Sequence, residues 1–382
     1  MKRIGLLLLI TCLLMGMLSI SAQGVALDIP AKSALLMDVE TGTVLYESNA
    51  HEALAPASVT KVMTMLLIME AIDDHRIGWD DTVTASEAAA AKGGSQVYLK
   101  VGETMSVADM VKSIAVSSAN DCACAMAEHI AGSETAFVEM MNTRAKELGM
   151  NDTTFVNCTG LDDDEAAKNH KTSAYDIAVM SRQLLKYHPD IKKYTTIWMD
   201  TIRNGTFGLS NTNKLVRFYP GATGLKTGFT SGAGYCLSAS AERDGLELIA
   251  VVMGSATSQE RFSACKSMLD YGFSNFSLVQ PEIGEELSVP VRLGTQDTVT
   301  AIPNEKGALL IDKSQRNSVT TEFQLEPEIT APVSKGQRLG TMTLKAGDQI
   351  LSQIPLVAEA PVERLTWGQI FLRIFKVIAM AA

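Results

Sequence analysis

Ser58 and Lys61, three residues apart in Pro56-Ala57-Ser58-Val59-Thr60-Lys61, have the types and spacing to do chemistry together. A serine hydroxyl is a weak nucleophile until a neighbouring base takes its proton. A lysine whose pKa is lowered by partial burial can be that base. On a helix, positions i and i+3 share a face, so the hydroxyl and the amine can meet. Pro56 and the small residues after it suit a helix start, and the apolar run from Val62 to Ile72 suits a buried helix behind them. Such a start also brings backbone N–H groups to the reacting centre. The spacing alone is a weak signal, because Ser263-Ala264-Cys265-Lys266 repeats it.

The elements that must position this pair can be read along the chain. Ser33 to Glu47 reads as two short strands about Glu40-Thr41-Gly42, and the Ser58 helix then ends near Asp73-Asp74. Residues 80–104 are polar, broken by Gly93-Gly94 and Gly102, and read as loops and short strands. Thr104 to Ala131 reads as two helices interrupted from Ser117 to Asn120, with Asp121 capping the second. Thr135 to Leu148 is an amphipathic helix with Phe137, Met140, Met141 and Leu148 on its core side, ended by Gly149. Residues 151–170 are irregular, and Asp162-Asp163-Asp164-Glu165 reads as a solvated loop. A helix from Tyr175 to Tyr187 follows, then a glycine-rich stretch from Gly221 to Gly234 with Lys226-Thr227-Gly228 at its centre. Tyr235 to Ala241 and Leu246 to Met253 read as strands joined at Arg243-Asp244-Gly245, and Arg261 to Tyr271 as a closing helix.

From about Val279 the pattern changes to short alternating runs, such as Glu286 to Arg292 and Thr298 to Ile302, which predict an all-β module over residues 279–358. Pro290 and Pro355 suit edge positions there. In the tail, residues 362–382, Trp367, Phe371, Ile374 and Ile378 stack on one helical face. Thr366, Gln369, Arg373 and Lys376 line the other. This pattern suits a helix lying in a membrane interface rather than spanning the bilayer; the alternative is a helix docked on the protein itself.

The composition bounds the reading. In 382 residues, 46% hydrophobic and 20% charged, the chain is globular and long enough for two or more domains. Its net charge of −10 argues against nucleic-acid binding, where a basic face is expected, and says little about the substrate, because a local basic site can sit on an acidic protein. Residues 1–26 have the charged start (Lys2, Arg3), apolar core and small-residue end of a signal peptide, with an uncleaved anchor as the alternative. Beyond it stand Cys122, Cys124, Cys158, Cys236 and Cys265, an odd number that excludes complete internal pairing. Cys122 and Cys124 with His129 have a superficial likeness to a metal cluster, but cysteine is commonly a small core residue, and no metal or cofactor is expected.

Three short signals occur in order: Ser58-x-x-Lys61, Ser118-Ala119-Asn120 and Lys226-Thr227-Gly228. Their settings are a helix start, an inter-helix turn and a glycine-rich strand before a hairpin. With them the chain resembles the penicillin-recognising serine acyl-transferases, above all the low-molecular-mass penicillin-binding proteins that act as D-alanyl-D-alanine carboxypeptidases. Thr154-Phe155-Val156-Asn157-Cys158-Thr159-Gly160-Leu161-Asp162-Asp163 resembles that family's Phe-x-Asn-x-x-Gly-Leu segment, and His170-Lys171-Thr172-Ser173-Ala174-Tyr175-Asp176 its following Ser/Thr-Ala-x-Asp stretch. Asn157-Cys158-Thr159-Gly160 departs from its frequent Asn-Pro-His-Gly, and Phe229 stands where some relatives carry His. The resemblance implies an α+β fold. Its parts are a β-lactamase/transpeptidase-like catalytic domain over residues 27–276, with an antiparallel sheet flanked by helices, a small all-β domain, and the amphipathic helix.

The resemblance also implies roles. Ser58 attacks the carbonyl of the penultimate D-alanine, with Lys61 as general base. Ser118 relays a proton to the leaving amine, and Asn120 holds Lys61 and the substrate amide in register. Lys226 keeps the potential positive, Thr227 binds the terminal carboxylate, and Gly228 lets the substrate approach the strand. Backbone N–H groups of Ser58 and Phe229 form the oxyanion hole, and Arg261 serves the substrate carboxylate, its alternative being a helix surface charge. The implied partners are peptidoglycan stem peptides ending in D-Ala-D-Ala, β-lactams as covalent inhibitors, and a membrane surface through the tail. The implied location is the outer face of the cytoplasmic membrane. Carboxypeptidase and endopeptidase action both remain open, since both cut on the carboxyl side of a D-alanine. Two rivals stand beside this reading. One is a class A β-lactamase, for which Glu165 would activate water; the other is a silent wall-binding scaffold.

Overall fold

Strands that are apolar on both faces need cover on both sides, and that requirement organises the molecule. The computed structural model describes residues 27–381 apart from residues 164, 282, 284, 285 and 306, so the signal segment read at residues 1–26 lies outside the described residues. Strands β1 (Ser33–Asp38), β2 (Val44–Ser48), β3 (Ala222–Thr230), β4 (Gly234–Arg243) and β5 (Leu246–Ser255) form one sheet, ordered β2-β1-β5-β4-β3. All its pairings are antiparallel. Alternate residues feed two cores: Leu35, Met37, Ile249, Val251 and Met253 enter one, and Ala34, Leu36, Leu248, Ala250 and Val252 the other. Asp244 and Gly245, both at positive φ, turn β4 into β5 as the hairpin signal requires.

Helix α1 (Lys61–Asp73) lies at the centre of the first core, with eleven of its thirteen residues buried, so it has no polar stripe to show solvent. Around it pack α2 (Val107–Ser117), α3 (Asn120–Ala131), α4 (Glu134–Glu147) and α5 (Ala174–Tyr187). Helix α6 (Ser258–Asn275) covers the opposite face through Ala264, Cys265, Met268 and Leu269. Ser106, Ser133 and Ser173 cap α2, α4 and α5, and Thr257 with Glu260 forms a capping box on α6. Ser263 and Lys266, which repeat the Ser-x-x-Lys spacing, face outward on α6.

Several elements differ from the sequence reading. Ser58 lies in a 3-10 turn, Ala57–Thr60, and α1 proper starts at Lys61. Asp121 does not cap α3. Its buried carboxylate accepts from Val97 N at 3.1 Å, Leu99 N at 3.0 Å and Cys122 N at 2.9 Å. It finds donors on a loop more than twenty residues earlier, a contact that no local pattern announces. The hairpin Met199–Ile202 and Phe207–Ser210 has no counterpart in the reading.

The C-terminal region is an all-β module with a six-stranded sheet and its own core, which includes Val289, Val299, Leu339, Met342, Ile354 and Leu356. Phe276–Val279 straddles the expected boundary and pairs with Leu309–Asp312. Pro355 lies in an interior strand, Gln349–Ala358, rather than at an edge. It is tolerated because pairing with Thr298–Pro303 begins only at Leu356. The tail helix, α7 (Trp367–Ala381), starts five residues later than expected, because Val362 is buried and bridges to Val333. Thr366 and Gln369 cap it reciprocally. Among the described residues no helix is long and apolar enough to cross a membrane.

Replacing Asp121 with alanine orphans the buried N–H groups of Val97 and Leu99. The expected cost is roughly 2–4 kcal/mol, visible as a fall in Tm of about 5–10 °C. An unchanged melting curve would show that the carboxylate does not hold this loop.

Candidate active site

The first and third sequence signals meet where the edge strand β3 lies against the turn that carries Ser58. Gly228 makes that approach possible: a Cβ there would stand 2.6 Å from Pro56 O and 3.1 Å from Ser58 N. The glycine is therefore required by the protein's own turn, whereas the sequence reading assigned it to the approach of a substrate. Gly160 closes the other side of the same turn, where a Cβ would fall 1.8 Å from Ala57 O. Ser58 is thus held between two backbone segments, each admitted by one missing side chain.

Lys61 Nζ donates to Ser58 Oγ at 3.0 Å and to the carbonyl of Thr159 at 2.8 Å. Among the described residues the Lys61 amine has no carboxylate in hydrogen-bond contact. Burial dominates its electrostatics and lowers its pKa to about 7, against a partial opposing pull from Cys158 and Asp121. A neutral amine facing a serine hydroxyl at hydrogen-bond distance is a competent general base.

The segment that presents Thr159 is built like a bracket. Asn157 Oδ1 accepts from Thr159 N and from Gly160 N, which ties the turn to itself. Cys158 O accepts from Thr64 Oγ1 on α1 at 2.6 Å. Glu134 Oε1 takes both Cys158 N and Cys158 Sγ, while its other oxygen is paired with Lys92 Nζ at 2.6 Å. Sequence reading quoted this stretch but assigned no role to it. A backbone carbonyl leaves no residue-type signal, and the only hint was Gly160.

Ser118 ends α2 in the left-handed conformation, φ 65°, and is buried. Asn120 begins α3; its Nδ2 donates to Gly93 O at 2.7 Å, and its buried Oδ1 has no partner. The expected tie between Asn120 and Lys61 is not among the described hydrogen bonds, so the side chain braces the 93–99 loop instead. Ser95 O accepts from Asn120 N in the same contact.

On β3, Lys226 Nζ is buried and donates to Thr227 O at 3.0 Å. Burial first, and then the charges of Lys61 and Arg261, push its pKa well below the usual lysine range. Burial is the largest cause for both amines, and the repulsion between them disfavours charge on each. Thr227 Oγ1 donates to Thr212 Oγ1 at 2.7 Å, and Thr212 N is in turn bonded to Val116 O at the end of α2. Phe229 is half exposed and stacks on Tyr235, ring centroids 4.3 Å apart.

Arg261 is not a surface charge. It is buried between the rings of Tyr235 and Phe262, and its Nη1 donates to Gly228 O at 2.9 Å. That bond ties α6 to the strand beside Ser58. Glu165, the base a class A β-lactamase would need, is exposed and paired with Lys168 at 2.5 Å. The five described cysteines are free and buried, and no group of metal-ligating side chains occurs among the described residues.

Comparison with known proteins gives a consistent answer. Residues 19–257 match the family described as D-alanyl-D-alanine carboxypeptidase, and residues 276–364 match the C-terminal domain of penicillin-binding protein 5. The D-alanyl-D-alanine carboxypeptidase DacF of Bacillus subtilis is 44% identical over 340 residues, 87% of this chain and 86% of that protein. DacC of Escherichia coli, with the same description, is 34% identical over 369 residues, 92% and 88% of the two chains. The crystal structure of penicillin binding protein 5 from Haemophilus influenzae superposes with a TM-score of 0.74 at 31% identity, covering 88% of this chain and 99% of that one. Penicillin-binding protein D2 from Listeria monocytogenes, solved with ampicillin bound, has a TM-score of 0.59 at 34% identity, covering 65% and 99%.

The pKa of Lys61 sets a pH test. Acylation by a reporter penicillin should rise about tenfold per pH unit below pH 7 and level off above it, as the amine loses its proton. A rate independent of pH between 5.5 and 8.5 would remove Lys61 from the role of base.

Proposed function

This chain belongs to the D-alanyl-D-alanine carboxypeptidase family of serine peptidases, and from that membership we propose how its own residues carry the reaction. The substrate is a peptidoglycan stem peptide ending in D-Ala-D-Ala. Neutral Lys61 takes the proton of Ser58, whose Oγ attacks the carbonyl of the penultimate D-alanine. The oxyanion forms between the backbone N–H groups of Ser58 and Phe229, each such donor contributing about 3–4 kcal/mol. Ser118 passes the proton from Lys61 to the leaving amine of the terminal D-alanine, leaving an ester on Ser58. Water, deprotonated through Lys61, then attacks the ester and restores the serine. The observation that carries this reading is the buried Lys61 amine, 3.0 Å from Ser58 Oγ with its pKa near 7.

Lys226 and Thr227 receive the terminal carboxylate. In the empty cleft Lys226 is disfavoured as a cation, and an incoming carboxylate removes that penalty, so substrate uptake and protonation of Lys226 go together. Arg261 adds positive potential from behind the strand, and its bond to Gly228 O fixes the segment that presents Phe229 N. Asn120 Oδ1, buried and unpartnered, is available to the substrate amide. A β-lactam presents a strained ring amide in place of the scissile peptide amide and stays as an ester on Ser58. The exposed position of Glu165 counts against β-lactamase action, and the complete set of motifs counts against a silent scaffold.

Peptidoglycan lies outside the cell, so this substrate implies export, in keeping with the signal-like residues 1–26. We further propose that α7 rests on the outer face of the cytoplasmic membrane. Trp367 is 88% exposed, and Phe371, Ile374 and Ile378 are also open on its apolar face. Arg373 turns the other way, bonding Gly294 O and Asp297 on the β module.

Ser58→Ala should lose both D-alanine release and covalent penicillin labelling by at least about 10³-fold while keeping its melting temperature. Rapid penicillin turnover by the wild type would favour the β-lactamase rival, and wall binding without either activity the scaffold. Deleting residues 367–381 should move the protein from the membrane fraction to the soluble one. If the truncated chain stays with membranes, α7 is not the anchor.

A further inference from the structure

The turn that carries Ser58 is held from behind by a histidine outside all three motifs. We propose that His170 is a positioning residue for the oxyanion-hole N–H of Ser58, acting through Thr60 and the carbonyl of Ala57. The proposal rests on the acyl-enzyme reading above.

Val156 N–H points at His170 Nδ1 at 3.1 Å, and a backbone N–H can only donate. Nδ1 is therefore the acceptor nitrogen, and Nε2 carries the hydrogen. Nε2 lies 2.8 Å from Thr60 Oγ1, which accepts that hydrogen and donates its own to Ala57 O at 2.8 Å. Each hydrogen in this relay has one place to go, so its direction is set. The ring is buried at 4% exposure and stands edge-on to Phe155. Burial, reinforced by the charge of Lys61, lowers its pKa to about 4, which keeps the acceptor form in place at neutral pH.

The end of the relay matters because Ala57 C=O and Ser58 N–H belong to the same peptide plane. Fixing the oxygen at one edge of that plane fixes the direction of the N–H at the other. Ala57 needs the restraint: it carries a Cβ yet sits at φ 48°, a conformation that alanine does not keep without support. Gly160 packs so closely on Ala57 O that the oxygen cannot swing toward it. His170 and Gly160 thus hold the carbonyl from two sides, and Ser58 N–H is left pointing where negative charge develops.

The two nitrogens of the ring can be tested separately. His170→Gln can keep a donor near the Nε2 position, whereas His170→Asn can keep only an acceptor near Nδ1. Measured at pH 8, His170→Asn and Thr60→Val should each lower kcat for D-alanine release, and the rate of penicillin acylation, about 10- to 100-fold with KM within about twofold. His170→Gln should remain within about threefold of wild type. The double variant His170→Asn with Thr60→Val should fall no further than the worse single one, since both break one relay. If the Asn and Gln variants lose activity equally and in step with their melting temperatures, or if the double variant is additive, His170 is only a packing residue. Penicillin labelling of wild-type Ser58 in the same series separates the two failures. With labelling intact such results sink the positioning role alone; without it, the acyl-enzyme reading falls and the proposal with it.

Discussion

A lysine amine buried without a carboxylate partner is the constraint on which the rest of this structure depends. Taking an ammonium out of water is costly, and here the cost appears as a pKa lowered to about 7. The site tolerates the amine because Thr159 O and Ser58 Oγ occupy its hydrogen-bonding directions. A carboxylate in place of the carbonyl would hold the proton on Lys61 and abolish the base. A polar but uncharged acceptor is the solution that orients the amine while leaving it free to titrate.

That solution asks for a rigid backbone segment, and much of the catalytic domain supplies it. The Asn157–Gly160 turn is tied to itself by Asn157, to α1 by Thr64, and to α4 by Glu134. Burial disfavours both charges of the Lys92–Glu134 ion pair, but their hydrogen bond and mutual attraction outweigh it and hold the Lys92 pKa above and the Glu134 pKa below their ordinary values. Ser58 is then confined by β3 on one side and Gly160 on the other. The sheet contributes its edge strand and the helical layer contributes α1, so Ser58 sits at the seam of the two layers. Phe229, Tyr235, Arg261 and Phe262 form a continuous run of ring and cation–ring contacts beside that edge.

The C-terminal module has a different logic. It has its own core, and it is joined to the catalytic domain through the pairing of Phe276–Val279 with Leu309–Asp312. It also carries α7, whose Arg373 is bonded to the module and whose Trp367, Phe371, Ile374 and Ile378 are open.

Residue types and local periodicity determined a good deal by themselves. The helix after Ser58, the hairpin at Asp244-Gly245, the change to alternating strands after Val279 and the amphipathic tail all depend on neighbours within a few positions, and a linear pattern carries such information. The order of the three motifs was equally legible, because chemistry selects side-chain types. Tertiary structure alone decided the rest. The partner of Lys61 is a carbonyl 98 residues away, the partner of Thr60 a histidine 110 residues away, and Asp121 left its capping position for a loop. Glycines 160 and 228 look in sequence like turn or substrate-facing residues, yet they are required because two chain segments come within a side chain's width of the Ser58 turn. Backbone groups are the same at every position and close approaches arise only in three dimensions, so the chain could point to Ser58 and Lys61 as a proposed reacting pair, whereas only the fold could show what holds them.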